Sequence, residues 1–221
     1  MTAWTVWVPA KPRATAKSRL ALPPARRAAL VEAMLRDVLA AVAAVARPVV
    51  VTADPYWRCL GAPVRAEPAP GLNAAASAAA SADSPVAVLV GDLPALRAAE
   101  LASALELAAA HPWALVADAA GHGTTLLAAT APGCLRPAFG ARSRLRHRAA
   151  GAADLTARLS APGLRRDVDT LADLRAAVAL GVGPATAQAW PDAPAAASGG
   201  AAASAMPAER LGPLRDVPAS G

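Results

Sequence analysis

Five short apolar runs, AWTVWVP (3–9), RPVVVTAD (47–54), VAVLVG (86–91), WALVAD (113–118) and TTLLAA (124–129), recur along the chain and are mostly separated by segments of helical character. Apolar runs of this length, bounded by turn residues, read as buried strands. Strands that alternate with helices imply βαβ units packed around a mainly parallel sheet. The clearest helix, over 23–46, opens on Pro23 and Pro24 and places Leu30, Met34, Val38 and Val42 on one stripe. A weak strand is expected at 62–67, with helices at 74–82, about 95–110 and 142–150. A last helix follows LRRDVD, capped by Thr170 and Asp173 and stopped by Gly181. The pattern predicts an α/β fold.

With 221 residues, 55% of them hydrophobic and 17% charged, the chain suffices for one globular domain, assigned to residues 1–190. Residues 191–221 are rich in Ala, Pro, Ser and Gly, cannot build a core, and are expected to form a disordered tail. Cys59 and Cys134 fit neither a disulfide framework nor a metal-ligand spacing. Together with the lack of a leader-like or membrane-spanning apolar run, this predicts a cytoplasmic protein without a membrane partner. The formal charge is +6, and the last 37 residues hold two arginines against three acids, so the folded part is more basic still. An anionic partner is expected. Nucleic acid is disfavoured, because 3% aromatics supply no stacking platform and no basic recognition helix is apparent. Small phosphorylated ligands fit better.

Ligands of open parallel sheets bind at the carboxyl ends of the strands, so the loops there carry the candidate chemistry. The loop VPAKPRATAKSRL (8–20) holds the chain's two lysines, Lys11 and Lys17, in a sequence that otherwise uses arginine. It contains no glycine, so a phosphate would be gripped by side chains: Lys11, Lys17, Ser18 and Arg19 are the donors. A lysine ammonium is a compact charge on a flexible stem, whereas arginine demands planar, bidentate geometry. VLVGDLPAL (88–96) delivers Gly91 and Asp92 to a strand end, where a carboxylate can hold a cation that bridges phosphates. RRDVDTLADL (165–174) supplies Asp167 and Asp169, which alternate in direction; Asp167 is expected to share the metal with Asp92, with Asp169 as its substitute. In GHGTTLL (121–127) and FGARSRLRHRAAG (139–151), Thr124, Gly140 and Ser143 suggest an anion pocket beside an arginine-rich helix. His122 and His147 have no carboxylate partner visible in sequence and are read as ordinary polar side chains.

The ordered set AKSRL, GLN (71–73), GDLPAL, GHGTTLL, FGARSRLRHRAAGA, PGLRRDVDTLADL and LGVGPAT resembles the phosphoenolpyruvate or 2-phospho-L-lactate guanylyltransferases of deazaflavin coenzyme F-420 biosynthesis, over about residues 4–188. The resemblance implies a Rossmann-like three-layer sandwich of the nucleotidyltransferase type, similar to the molybdenum-cofactor guanylyltransferases. It implies transfer of GMP from GTP to the phosphate of phosphoenolpyruvate or phospholactate, with release of pyrophosphate and hand-over to a downstream transferase. It carries the acid-binding role onto Thr124, Gly140 and Ser143, the Mg2+ role onto Asp92 and Asp167, the phosphate role onto Lys11, Lys17 and Arg19, and a nucleoside contact onto Asn73. His122 departs from the threonine usual in the family's GTGTT. The chemistry is consistent, since an ionised substrate phosphate needs no protein base. A molybdopterin-type nucleotidyltransferase and a non-catalytic nucleotide-binding module remain alternatives.

Overall fold

The computed structural model describes residues 3–79, 85–131 and 133–191. Seven strands form one mixed sheet: β1 (Thr5–Pro9), β2 (Arg47–Thr52), β3 (Val64–Ala66), β4 (Val86–Leu89), β5 (Trp113–Ala117), β6 (Thr124–Ala129) and β7 (Ala153–Asp154), in the order β3-β2-β1-β4-β6-β5-β7. All neighbouring pairs are parallel except those of β6, which runs antiparallel to β4 and β5. The reversal follows from the short connection between β5 and β6, too brief for the crossover a parallel pair requires. The helices are α1 (Pro24–Ala43), α2 (Leu72–Ala79), α3 (Ala98–Ala108), α4 (Ser143–Ala149), α5 (Pro162–Arg165), α6 (Leu171–Leu180) and α7 (Pro184–Ala189).

Alternation along the central strands divides the interior into two layers. Ala87 and Leu89 of β4 face one side with Leu30, Met34 and Val38 of α1 and Leu101 of α3. Val86 and Val88 face the other, with Ala76 and Ala79 of α2. Helices therefore cover both faces, which makes the expected three-layer sandwich. The five apolar runs all became strands, and the weak run at 62–67 contributes only three residues at the sheet edge. The helix expected at 74–82 begins earlier, at Leu72, and its expected last residues, like most of the tail from 191, lie outside the described residues. The helix after LRRDVD starts as anticipated: Asp173 N–H donates to Thr170 Oγ1 at 3.2 Å, Thr170 N–H donates to Asp173 Oδ2 at 2.9 Å, and Gly181 ends it at φ +87°.

Five elements gave no sequence signal: the 3-10 turns Pro55–Leu60 and Thr156–Arg158, the two-residue strand β7, the short helix α5, and α7. Acids distant in sequence hold the two helices. Glu100 on α3 accepts from the amides of Gly163 and Leu164 at 3.0 and 2.9 Å. Asp37 on α1, 8% exposed, accepts from Ala185 and Thr186 at 3.0 and 2.8 Å. Each carboxylate satisfies N–H groups that a short helix leaves unpaired. No described helix is long and apolar enough to cross a membrane.

Candidate active site

The chain leaves β1 toward β2 and β3 on one side and returns to β4 on the other, so the crevice between β1 and β4 is the topological switch point. A cleft of about 790 Å³ opens there, within the range of small-molecule sites. The loop after β1 contributes Lys11, Lys17, Ser18 and Arg19; the end of β4 contributes Gly91 and Asp92; the 165–170 segment brings Asp167 and Asp169. Thr124, Gly140 and Ser143 line the same cleft. Gly91 packs so closely on β1 and α1 that a Cβ would lie 3.3 Å from the Pro9 carbonyl oxygen and 3.2 Å from Leu35 Cδ1.

Lys17 sits at the centre. Its Nζ donates to Asp92 Oδ2 and to Asp169 Oδ1, the latter at 2.6 Å. Its backbone is left-handed, at φ +54°, a cost of the kind stored at functional sites. Burial pulls its pKa down, but the charges and hydrogen bonds of Asp92 and Asp169 outweigh that, and the net shift is upward. Asp169 is held below its ordinary value: burial opposes the shift, and the Lys17 hydrogen bond and the charges of Lys17, Arg19 and Lys11 overcome it. The basic loop therefore converges on acids 75 and 152 residues away in sequence.

Asp167 behaves oppositely. Burial, then the negative charge of Asp92, push it up to about 6. Asp92 Oδ1 is buried without a hydrogen-bond partner. Two repelling carboxylates with an orphaned oxygen fit a divalent cation, which would satisfy the oxygen and remove the repulsion. Among the described residues no cluster of three or more His, Cys, Asp or Glu side chains forms a full metal cage. A cation held by Asp92 and Asp167 would complete its shell with phosphate oxygens and water. Asp169 is taken up by Lys17, so of the two aspartates weighed from sequence Asp167 is the freer to serve a metal.

The segment is positioned from several sides. Arg165 donates to the carbonyls of Ala117 and Asp118, at 3.1 Å from Nε and 2.9 Å from Nη2 respectively, and Val168 N–H donates to the Asp92 carbonyl at 3.1 Å.

At the other end of the cleft, the β5 ladder shifts register between Val116 and Ala117, beside Thr124. Asp118 folds the preceding turn, accepting from the amides of His122 at 2.9 Å and Gly123 at 2.8 Å. Its carboxylate occupies the space where a Cβ on residue 123 would stand, which explains the glycine there. Thr124 Oγ1 lies 3.0 Å from His147 Nδ1 and accepts from Ser143 Oγ at 3.2 Å. Gly140, at φ +115°, keeps a conformation that other residues rarely adopt. Asn73, the expected nucleoside contact, has its amide on the Phe139 peptide, accepting from Phe139 N–H at 2.7 Å and donating to its carbonyl at 3.2 Å, so it braces the Gly140 loop. His122 is exposed, whereas His147 is fully buried behind Thr124. His147 was expected to be an ordinary polar side chain, and Asp118 carried no expectation. The i, i+4 spacing of Ser143 and His147 on a helix was the available signal for the first.

The chain is similar to known proteins over most of its length. A profile of the family described as guanylyl transferase CofC like matches residues 4–185. A protein of Streptomyces avermitilis named phosphoenolpyruvate guanylyltransferase is 52% identical over 202 residues, covering 84% of this chain and 93% of its own. One of that name from Geodermatophilus obscurus is 48% identical, with coverage of 84% and 93%. Among solved structures, a nucleotidyl transferase from Methanothermobacter superposes with a TM-score of 0.51 at 19% identity, covering 80% of this chain and 97% of that one. A CMP:2-keto-3-deoxy-manno-octonic acid synthetase complexed with CTP gives 0.52 at 16%, covering 81% and 98%. The structural likenesses establish the nucleotidyltransferase fold, and the family match spans the whole cleft-forming region, so the chain belongs to the CofC-like guanylyl transferase family.

Proposed function

We propose that the protein transfers GMP from GTP to the phosphate of phosphoenolpyruvate, releasing pyrophosphate, as the names of its relatives suggest. The observation that carries this reading is Lys17 held between Asp92 and Asp169 at the switch point, with Thr124 and Ser143 in the same cleft. Cationic and anionic groups there serve a polyphosphate and its counter-ion, and the Thr124 hydroxyl, backed by Ser143, serves a second, anionic ligand. In the reaction an acceptor phosphate oxygen forms a bond to the α-phosphorus of GTP while the bond from that phosphorus to the bridging oxygen of pyrophosphate breaks. The nucleophile is already ionised, so no residue must remove a proton. Lys11, Lys17 and Arg19 neutralise charge on the triphosphate and on the departing pyrophosphate, and hold the two in line. Asp92 and Asp167 would hold Mg2+, which when bound supplies charge neutralisation across the phosphates. The activated three-carbon product suits hand-over to a transferase of deazaflavin coenzyme synthesis.

The test is to incubate the purified protein with GTP, Mg2+ and, separately, phosphoenolpyruvate or 2-phospho-L-lactate, then read product mass and pyrophosphate. A guanylylated phosphoenolpyruvate is expected. Pyrophosphate release with neither acceptor refutes the reading.

A further inference from the structure

His147 is 0% exposed and stands edge-on to Phe139, with ring centroids 5.3 Å apart, and to Trp113 at 6.3 Å. Its two nitrogens have different partners. Ala138 N–H lies 2.8 Å from Nε2, and a peptide N–H can only donate, so Nε2 must be the unprotonated acceptor. The neutral ring then carries its proton on Nδ1, which donates to Thr124 Oγ1 at 3.0 Å. Ser143 Oγ donates to the same oxygen at 3.2 Å. A hydroxyl oxygen has two lone pairs and one hydrogen. With both lone pairs occupied, Thr124 has one capacity left, its O–H, and Thr124 lines the cleft.

We propose that His147 is a positioning residue that fixes the Thr124 hydroxyl as an obligate hydrogen-bond donor to an anionic oxygen of the acceptor substrate. The device rests on the acceptor reading given above and adds the group that sets its polarity. It favours an acceptor presenting a carboxylate or phosphate oxygen over one presenting an ammonium, which has no lone pair to accept the Thr124 proton. An imidazolium would still donate from Nδ1 but would lose the Ala138 bond that anchors the ring. Burial first, and the neighbouring Arg146 charge second, hold the His147 pKa down to about 4, so the ring is neutral at neutral pH. Lacking a place in the cleft lining, the ring acts through Thr124 rather than on the substrate.

Two measurements test this. In 15N-histidine-labelled protein, with the His147 signal assigned by its loss in His147→Gln, the ring is expected with Nδ1 protonated and Nε2 bare at neutral pH. A proton on Nε2, or a cationic ring, overturns the proposal whatever the acceptor proves to be. In steady-state kinetics His147→Gln can still accept from Ala138 but loses the donor to Thr124. Loss of one bond that orients a charge-assisted contact is expected to raise KM for the acceptor about 10-fold and to leave KM for GTP within about 2-fold. Thr124→Val should show a similar or larger rise, and the double variant should be no worse than Thr124→Val alone. Independent, multiplying losses, or a parallel rise in KM for GTP, overturn it. Vinyl phosphate, which lacks the carboxylate, separates the two anionic sources: disappearance of the His147→Gln penalty assigns the contact to the carboxylate, persistence to the phosphate. Failure of the proposed reaction is read separately, as absence of guanylylated product from the wild type.

Discussion

Replacing Lys17 separates its work in the resting protein from its work on substrate. Its side chain is 15% exposed and that of Asp92 21%, while Asp169 is 54% exposed. The Asp169 contact is thus close to a surface pair, worth at most about 1 kcal/mol. The Asp92 contact lies nearer the buried limit, where removing one partner costs roughly 3–5 kcal/mol, and residual solvent reduces that to about 2 kcal/mol. Lys17→Met should therefore lower Tm by about 4–8 °C, given roughly 2–4 °C per kcal/mol for a domain of this size. Turnover should fall further in proportion, by about 10²–10³, because a preformed charge aimed at the developing phosphate charge is removed. Lys17→Arg keeps the charge and is expected to keep Tm within about 2 °C, yet lose at least about tenfold in turnover, since a planar fork cannot replace a compact ammonium between two carboxylates. The assays are differential scanning fluorimetry without substrate and pyrophosphate release with GTP, Mg2+ and acceptor. Activity of Lys17→Met within about threefold of wild type refutes the clamp. Lost activity with unchanged Tm refutes the ion-pair reasoning while sparing the catalytic one.

Other outcomes follow from the same coordinates. Gly123→Ala places a methyl group onto the Asp118 carboxylate, so the turn before Thr124 must open; KM for the acceptor should rise several-fold in steady-state assays, with KM for GTP little changed. Asp37→Ala removes the acceptor of two α7 amides, none of these residues lining the cleft, and urea unfolding should show a loss of about 2–3 kcal/mol with both KM values preserved. His147 has its folded pKa depressed from 6.5 to about 4, so the unfolded chain binds this proton first. Stability from the neutral ring is full above about 6.5 and is lost as pH falls toward about 4, by up to about 3 kcal/mol. Unfolding titrations of wild type against His147→Gln should show the wild type losing ground across that window, and a pH-independent difference would contradict a buried neutral ring.

The fold was legible because its signal is local. Runs such as VAVLVG and WALVAD are apolar over strand length, and the Thr170–Asp173 box and Gly181 mark helix ends through chemistry confined to a few residues. The two lysines were legible for a compositional reason: in a chain that otherwise uses arginine, Lys11 and Lys17 depart from the background. Asp92 and Thr124 were legible as polar residues at the ends of apolar strands. The choice between Asp167 and Asp169 was not, because alternation gives opposite directions without saying which faces the cleft.

What the sequence determined by itself, then, is the alternation of elements and the set of polar residues that the sheet gathers at its carboxyl edge. Tertiary structure alone decided their pairing: Lys17 with Asp92 and Asp169, Asp167 left to repel Asp92, Asn73 turned to Phe139, and His147 set behind Thr124. The physical reason is range. Strand and helix periodicity act over a few residues, whereas a charge or hydrogen bond answers to whatever the sheet order brings within about 3 Å, however far apart in the chain.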